Sequence, residues 1–185
     1  EPVKALRNQG MIGGADGRKM SKRWGNIVNP DEVVKLYGAD SLRVFEMFLG
    51  PFDSHLPWST EGIIGSRRFI ERVWRLSQKL SEGKSDNGAQ KLLHKTIKKV
   101  SEDIQKFAFN TAVSALMICL NEFEKSAVSA DDFKLFLQLL APFAPHITEE
   151  LWASFGEKKS IHHAIWPKYN PKLIVEDEVT VGVQI

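Results

Sequence analysis

Several kinds of residue and pattern are scarce in this sequence, and each scarcity removes a class of protein. Cys119 is the one cysteine among 185 residues, so neither an internal disulfide nor a cysteine-rich zinc site can form. Its neighbours Leu116, Leu120 and Phe123 place it as a small buried hydrophobe in a reducing compartment. No apolar run approaches the ~18 residues that a membrane span needs, and no signal-peptide pattern opens the chain. Repeats and low-complexity tracts are missing as well. The net charge is only +2, too small by itself to name a partner. What is left, at 43% hydrophobic and 26% charged residues, has the composition of a cytosolic globular protein with no membrane contact.

The placement of charge says more than its sum. Residues 67–106 carry eleven Lys and Arg against five Asp and Glu, a net of +6, whereas residues 107–185 carry six against ten, a net of −4. One positively charged surface is implied, suited to a polyanion approached from one side.

Turn chemistry dominates the first part of the chain. Met11-Ile12-Gly13-Gly14 precedes Ala15-Asp16-Gly17-Arg18, and Asp-Gly predicts a hairpin turn, with Lys19-Met20-Ser21-Lys22 on a loop just beyond the hairpin arm. Asn29 as N-cap and Pro30 at the first position predict a short helix ended by Gly38, and a second runs from about Asp40 to Gly50-Pro51. Five longer helices follow, separated by short loops of which 81–88 is the clearest. Ser59 caps the first, with Phe69, Val73, Leu76 and Leu80 on one face and Trp74 in the core. Leu93, Ile97, Val100, Ile104 and Phe107 mark the second, and Asn110 caps the third, with Val113, Leu116, Met117, Leu120 and Phe123 inward. Ser129 or Asp131 starts the fourth, closed by Pro142, and Pro145 opens the fifth, ended by Gly156. Alternation through Val179, Val181, Val183 and Ile185 predicts a strand cut short at the last residue. The predicted fold is mainly α: an antiparallel bundle preceded by a hairpin or loop and two short helices.

Arg18, Lys19, Lys22 and Arg23 put four cations within six residues, on a loop flanked by glycines. Such a loop can neutralise a triphosphate as charge moves onto leaving pyrophosphate, and a lysine ammonium acts there as a point charge. Judged on charge alone, an exposed basic turn is the more frequent explanation. The order of residue types shifts that balance. Lys-Met-Ser-Lys, followed by Gly25-Asn26, resembles the Lys-Met-Ser-Lys-Ser signature of the class I aminoacyl-tRNA synthetases, and four such letters arise by chance in about one chain of this length in a thousand. The similarity continues through Asn29-Pro30-Asp31 and Tyr37-Gly38-Ala39-Asp40-Ser41-Leu42-Arg43, shared by the leucine, isoleucine and valine branches. Glu46-Met47-Phe48-Leu49-Gly50-Pro51 and Pro57-Trp58-Ser59 resemble the leucine branch. Phe109-Asn110-Thr111-Ala112 and Ala141-Pro142-Phe143-Ala144-Pro145-His146 resemble its anticodon-binding helices.

The resemblance implies three segments: a signature-loop and connecting region at 1–50, a helical bundle at 51–168, and the start of a C-terminal segment at 169–185. It implies that Lys22 and Lys19 stabilise the activation transition state, and that Met20, Ser21, Gly25 and Asn26 complete the ATP loop by packing, hydrogen bonding and turning the chain. Arg23 departs from the signature serine, and either adds phosphate affinity or points to solvent. The implied substrates are leucine, tRNA(Leu) and ATP with Mg, the last through a catalytic domain bearing a His-x-Gly-His signature. None of the five histidines here forms that signature. The chain alone is therefore expected to be inactive, to hold no cofactor and to need no protein partner. For tRNA contact, Arg68, Arg72 and Arg75 and then Lys91, Lys95, Lys98 and Lys99 form helix stripes suited to phosphates, with Arg67 and Trp74 as additions, although a core place is the first reading for Trp74. An isoleucine- or valine-type segment, a non-catalytic RNA-binding module and a helical protein scaffold are the alternatives. His162-His163 lacks the partners of a metal site, His55 and His94 have no catalytic partner, and His146 reads as a packed or capping residue.

Overall fold

Turn-forming residues up to Asn29 and amphipathic periodicity beyond it divide the chain, and the computed structural model, which describes residues 3–175, follows that division. Strand β1 (Ile12–Gly13) leads into the Asp16-Gly17 turn, closed by Gly14 N–H donating to Arg18 O at 2.8 Å and by Gly17 in the left-handed region at φ +74°. The turn forms where expected, but no hairpin arm follows it. β1 pairs instead in parallel with β2 (Leu56–Pro57), Ile12 opposite Leu56 and Gly13 opposite Pro57. Gly10 N–H donates to Phe52 O at 2.7 Å, Leu56 N–H to Met11 O at 3.1 Å and Trp58 N–H to Gly13 O at 3.0 Å. A side chain at residue 10 would bring its Cβ within 1.9 Å of Ser54 O, so this approach requires glycine. The excursion from residue 14 to residue 55 thus leaves and returns at one point.

Inside that excursion lie α1 (Pro30–Tyr37) and α2 (Ala39–Phe48). Asn29 Oδ1 accepts from Asp31 N–H at 3.1 Å, and Gly38 ends α1 at φ +87°, a conformation costly for other residues. The bundle is built from α3 (Thr60–Ser77), α4 (Asn87–Gln105), α5 (Phe109–Phe123), α6 (Ala130–Leu140) and α7 (Pro145–Ser154). Ser59 Oγ caps α3 through Gly62 N–H at 3.1 Å, and Ser129 Oγ caps α6 through Asp132 N–H at 3.2 Å. Apolar stripes of the five helices meet in one core containing Val73, Leu93, Ile97, Leu116, Cys119, Phe123, Phe133 and Phe136, all at 0% exposure. A satellite cluster of Val33, Leu42, Phe45 and Ile63 seats α1 and α2 on α3, with Trp58 edge-on to Phe45 at 4.9 Å.

Two local expectations fail. Asn110 does not cap α5: the helix begins at Phe109, Ala108 occupies the cap position, and Asn110 lies in the first turn. The cause is the way α4 ends. Phe107 enters the left-handed region at φ +61°, its N–H donating to Ile104 O and Ala108 N–H to Asp103 O at 2.9 Å, a Schellman closure usually made by glycine. The conformational cost of about 1–2 kcal/mol is offset by the Phe107 ring, which meets Phe52 and Phe109 at 5.4 and 5.5 Å. Trp74 is not in the core either; it is 44% exposed on the flank of α3. The predicted terminal strand at 179–185 lies outside the described residues.

Candidate functional site

Residues 16–26 form a loop whose shape is set mainly by one side chain. Asn26 Oδ1 accepts from Ser21 N–H at 2.9 Å, and its Nδ2 donates to Asp16 Oδ1 at 3.1 Å and to Lys19 O at 3.4 Å. The Asn26 amide and the Arg18 N–H on its carboxylate push the pKa of Asp16 down. Ser21 caps a short 3-10 turn at Lys22–Trp24, its Oγ accepting from Arg23 N–H at 3.2 Å, and Gly25 leaves that turn at φ +62°. His55 Nε2 lies 3.1 Å from Gly17 O, tying the loop to the segment before β2. Lys19 and Lys22 are exposed, while Met20 is half-buried. Arg18 and Arg23 lie over the Trp24 ring, their guanidinium carbons 5.2 and 5.1 Å from its centroid, with Trp24 itself 53% exposed. The loop therefore presents two lysine ammonium groups to solvent and folds both arginines onto an indole. Nothing in the sequence pattern announces that sandwich.

Behind the loop, two residues of α2 bind the cassette to the bundle. Asp40 is buried, and its carboxylate accepts from His146 N–H at 3.3 Å, Ile147 N–H at 2.7 Å and His146 Nδ1 at 2.7 Å. Ala144 at the cap position of α7 has no side-chain acceptor, so Asp40 supplies the cap from another helix. Arg43 Nη2 donates to Pro142 O at 2.9 Å, one turn farther along. Each partner is about a hundred residues away in sequence, a separation that no local pattern encodes.

The basic residues of α3 and α4 are not equivalent. Arg72 is held by Glu124, at 2.9 and 2.5 Å, and by Asn121 at 2.6 Å; this pairing pushes the Glu124 carboxyl pKa down and that of Arg72 up. Arg67 Nε donates to Glu71 at 2.8 Å and its Nη1 to Tyr37 O at 3.2 Å. Lys99 neutralises the buried Asp103 at 2.6 Å, where Thr111 Oγ1 also donates at 2.7 Å. Arg68 and Arg75 are exposed, Lys98 lies 5.8 Å from the Tyr169 ring centroid, and Lys91 and Lys95 are half-buried along α4. Of the predicted stripe, Arg68, Arg75 and Lys98 thus face solvent, while Arg67, Arg72 and Lys99 also carry structural contacts.

A groove of about 520 Å³ lies between α3 and α7, lined by Arg67, Ile70, Glu71, Trp74, Arg75 and Ile147. A second cleft, about 440 Å³, runs between β1 and the end of α2, where burial pushes the Glu46 carboxyl pKa up. Among the described residues, no group of three or more His, Cys, Asp or Glu is placed to hold a metal ion, and no helix is long and apolar enough to cross a membrane. His162 and His163 sit exposed in a 3-10 turn, and His94 Nδ1 accepts from Asn170 N–H at 3.1 Å.

Comparison with known proteins matches both parts of this architecture. The family model for the anticodon-binding domain of tRNA ligase covers residues 86–184, and that for class I tRNA synthetases (I, L, M and V) covers residues 1–58. The leucine–tRNA ligase of Chlorobaculum tepidum is 48% identical over the whole chain, and that of Chlorobaculum parvum 46%. The chain spans 24% of the length of each of these relatives. The fold superposes with a TM-score of 0.82 on a crystal structure of Agrobacterium radiobacter K84 agnB2 LeuRS in a ternary complex with tRNA and LeuAMS. That match is 34% identical and covers 95% of this chain and 26% of the other.

Proposed function

We propose, for a chain that belongs to the anticodon-binding domain family of tRNA ligases, that it is the segment of a leucine–tRNA ligase carrying one wall of the ATP site and the RNA-docking helices behind it. The observation that carries this reading is the loop geometry: Lys19 and Lys22 reach solvent from a loop fastened by Asn26 and turned by Gly17 and Gly25. The whole-chain likeness to two leucine–tRNA ligases supports the choice of amino acid.

In the activation step the leucine carboxylate attacks the α-phosphorus of ATP and pyrophosphate departs. Negative charge grows on the bridging and terminal phosphate oxygens as that bond breaks. Lys22, with Lys19 beside it, meets that charge with ammonium groups whose stems hold them at the loop surface. Ser21 and the main-chain N–H groups around it add donors, Met20 anchors the loop by packing, and Gly25 and Asn26 set its turn. ATP enters as substrate with Mg, and this chain contributes phosphate contacts rather than metal ligands. The acyl group then passes to the 3′ end of tRNA(Leu), docked on the faces of α3 and α4 that carry Arg67, Arg68, Arg72, Arg75, Lys91, Lys95, Lys98 and Lys99. Residues 1–50 serve the loop, 51–168 the docking bundle and 169–185 begin a further segment of a cytoplasmic enzyme.

Half of an ATP site cannot expel pyrophosphate efficiently, because positioning and charge stabilisation act together. The isolated chain should show no leucine-dependent pyrophosphate exchange. In the complete ligase, Lys22→Ala should lower the exchange rate constant by about 10- to 100-fold while changing the KM for ATP less. Unchanged turnover in that variant would remove Lys22 from the mechanism.

A further inference from the structure

A large aromatic side chain on a charged helix face needs an explanation when the helix has a core to bury it in. Residues 67–79 of α3 and its end carry five cations (Arg67, Arg68, Arg72, Arg75, Lys79) against one anion, Glu71. In their midst Trp74 stands 44% exposed, one residue from the fully buried Val73. It lines the groove between α3 and α7 together with the apolar Ile70 and Ile147, the cations Arg67 and Arg75, and Glu71, whose charge is engaged by Arg67 at 2.8 Å. Arg67 is pre-set there: Glu71 and the Tyr37 carbonyl hold two of its nitrogens, leaving Nη2 to donate elsewhere.

We propose that the Trp74 groove is a stacking site for one unpaired nucleotide of an RNA, its base lying on the indole between Ile70 and Ile147 and its phosphates meeting Arg67 and Arg75. The groove's volume lies within the range of small-ligand sites, about 300–1,000 Å³, yet its sides are open, which suits one unit of a longer polymer better than a free nucleotide. An indole face flanked by guanidinium groups matches a base flanked by phosphates, and stacking on an aromatic face accepts any base. Bases inside a duplex have no free face to offer, so the ligand is a nucleotide out of the helical stack. An acidic protein segment would satisfy the arginines but gain nothing from a flat, exposed indole. The proposal rests on the reading of this chain as part of a tRNA ligase, and adds to it where a looped-out nucleotide is gripped.

The test uses the complete ligase, with leucine-dependent pyrophosphate exchange and tRNA charging measured side by side. Trp74→Ala should raise the KM for tRNA by about 5- to 100-fold, leave exchange at the wild-type level and leave the salt dependence of tRNA binding unchanged. Trp74→Phe, which keeps an aromatic face, should restore most of the affinity. Arg75→Gln should instead reduce the salt slope by about one. A Trp74→Ala enzyme that charges tRNA with the wild-type KM overturns the stacking site. So does a Trp74→Phe enzyme as impaired as the alanine variant. Wild-type enzyme with no leucine-dependent exchange or charging would overturn the ligase reading itself, a result separable from either of those.

Discussion

Removing the Asp40 carboxylate should cost this fold more than any change of similar size on its surface. The residue is buried, sits on α2, and closes the amino end of α7 by accepting from the N–H groups of His146 and Ile147 and from His146 Nδ1. Asp40→Ala loses a cap worth typically about 1 kcal/mol and a favourable charge at a helix amino end worth about 0.3–1 kcal/mol. It also strands the Ile147 N–H beside a buried cavity, at about 1–3 kcal/mol. The sum is about 2–5 kcal/mol, which for a chain of this size lowers Tm by about 5–20 °C. Asp40→Asn keeps one acceptor oxygen and the volume, and should cost about half as much. His146→Ala, at a side chain 72% exposed, should cost under about 1 kcal/mol. Urea unfolding followed by circular dichroism gives all three values, and the double variant gives the coupling of the pair. The cap argument is refuted if Asp40→Ala and His146→Ala cost the same, or if Asp40→Ala shifts the midpoint no more than an exposed substitution does.

Two further outcomes follow from titratable groups in the bundle. Burial pushes the His94 pKa below its ordinary 6.5, so the unfolded chain binds more protons than the folded one just below neutrality; stability should fall as pH drops through 6.5 and recover as pH rises. Protonation also removes the Nδ1 lone pair that accepts from Asn170. Urea midpoints between pH 7.5 and 5.5 should show the fall, and His94→Gln should flatten it; an equal slope in that variant would exclude His94 as the cause. Burial pushes the Cys119 thiol up to about 12, so a thiol reagent should label it only as fast as the bundle opens. Rapid labelling without denaturant would contradict the packing of α5.

Much of this was legible because it is local. The caps Asn29, Ser59 and Ser129 act on amides two or three residues away, and the apolar stripe of α4 repeats within its own helix. The signature loop was visible as a string of letters, and its Asn26 contacts span ten residues or fewer. What failed depends on distance or on angle. The parallel pairing of β1 with β2, the Arg72–Glu124 pair and the Asp40 cap join residues far apart in sequence, and no periodicity encodes them. Trp74 follows Ile70 by four residues, which reads as inward, yet it falls just past the edge of the buried arc. Asn110 is a good capping residue, displaced because Phe107 takes the left-handed turn one would give to glycine. Aromatic packing against Phe52 decided that turn, and Phe52 lies outside any local window.

The fastening of the loop by Asn26 has a consequence for populations. Its three contacts, mostly solvent-exposed, are each worth about 0.5–1 kcal/mol net, so the held loop outweighs the released one by about 1.5–3 kcal/mol. At that bias roughly one to ten per cent of molecules have the Asn26 contacts released at any moment. A phosphate-bearing ligand that gripped the released form about 100- to 10,000-fold more tightly, across that range, would reverse the ratio. The loop is thus shaped, yet held by a margin that one bound ligand can overturn.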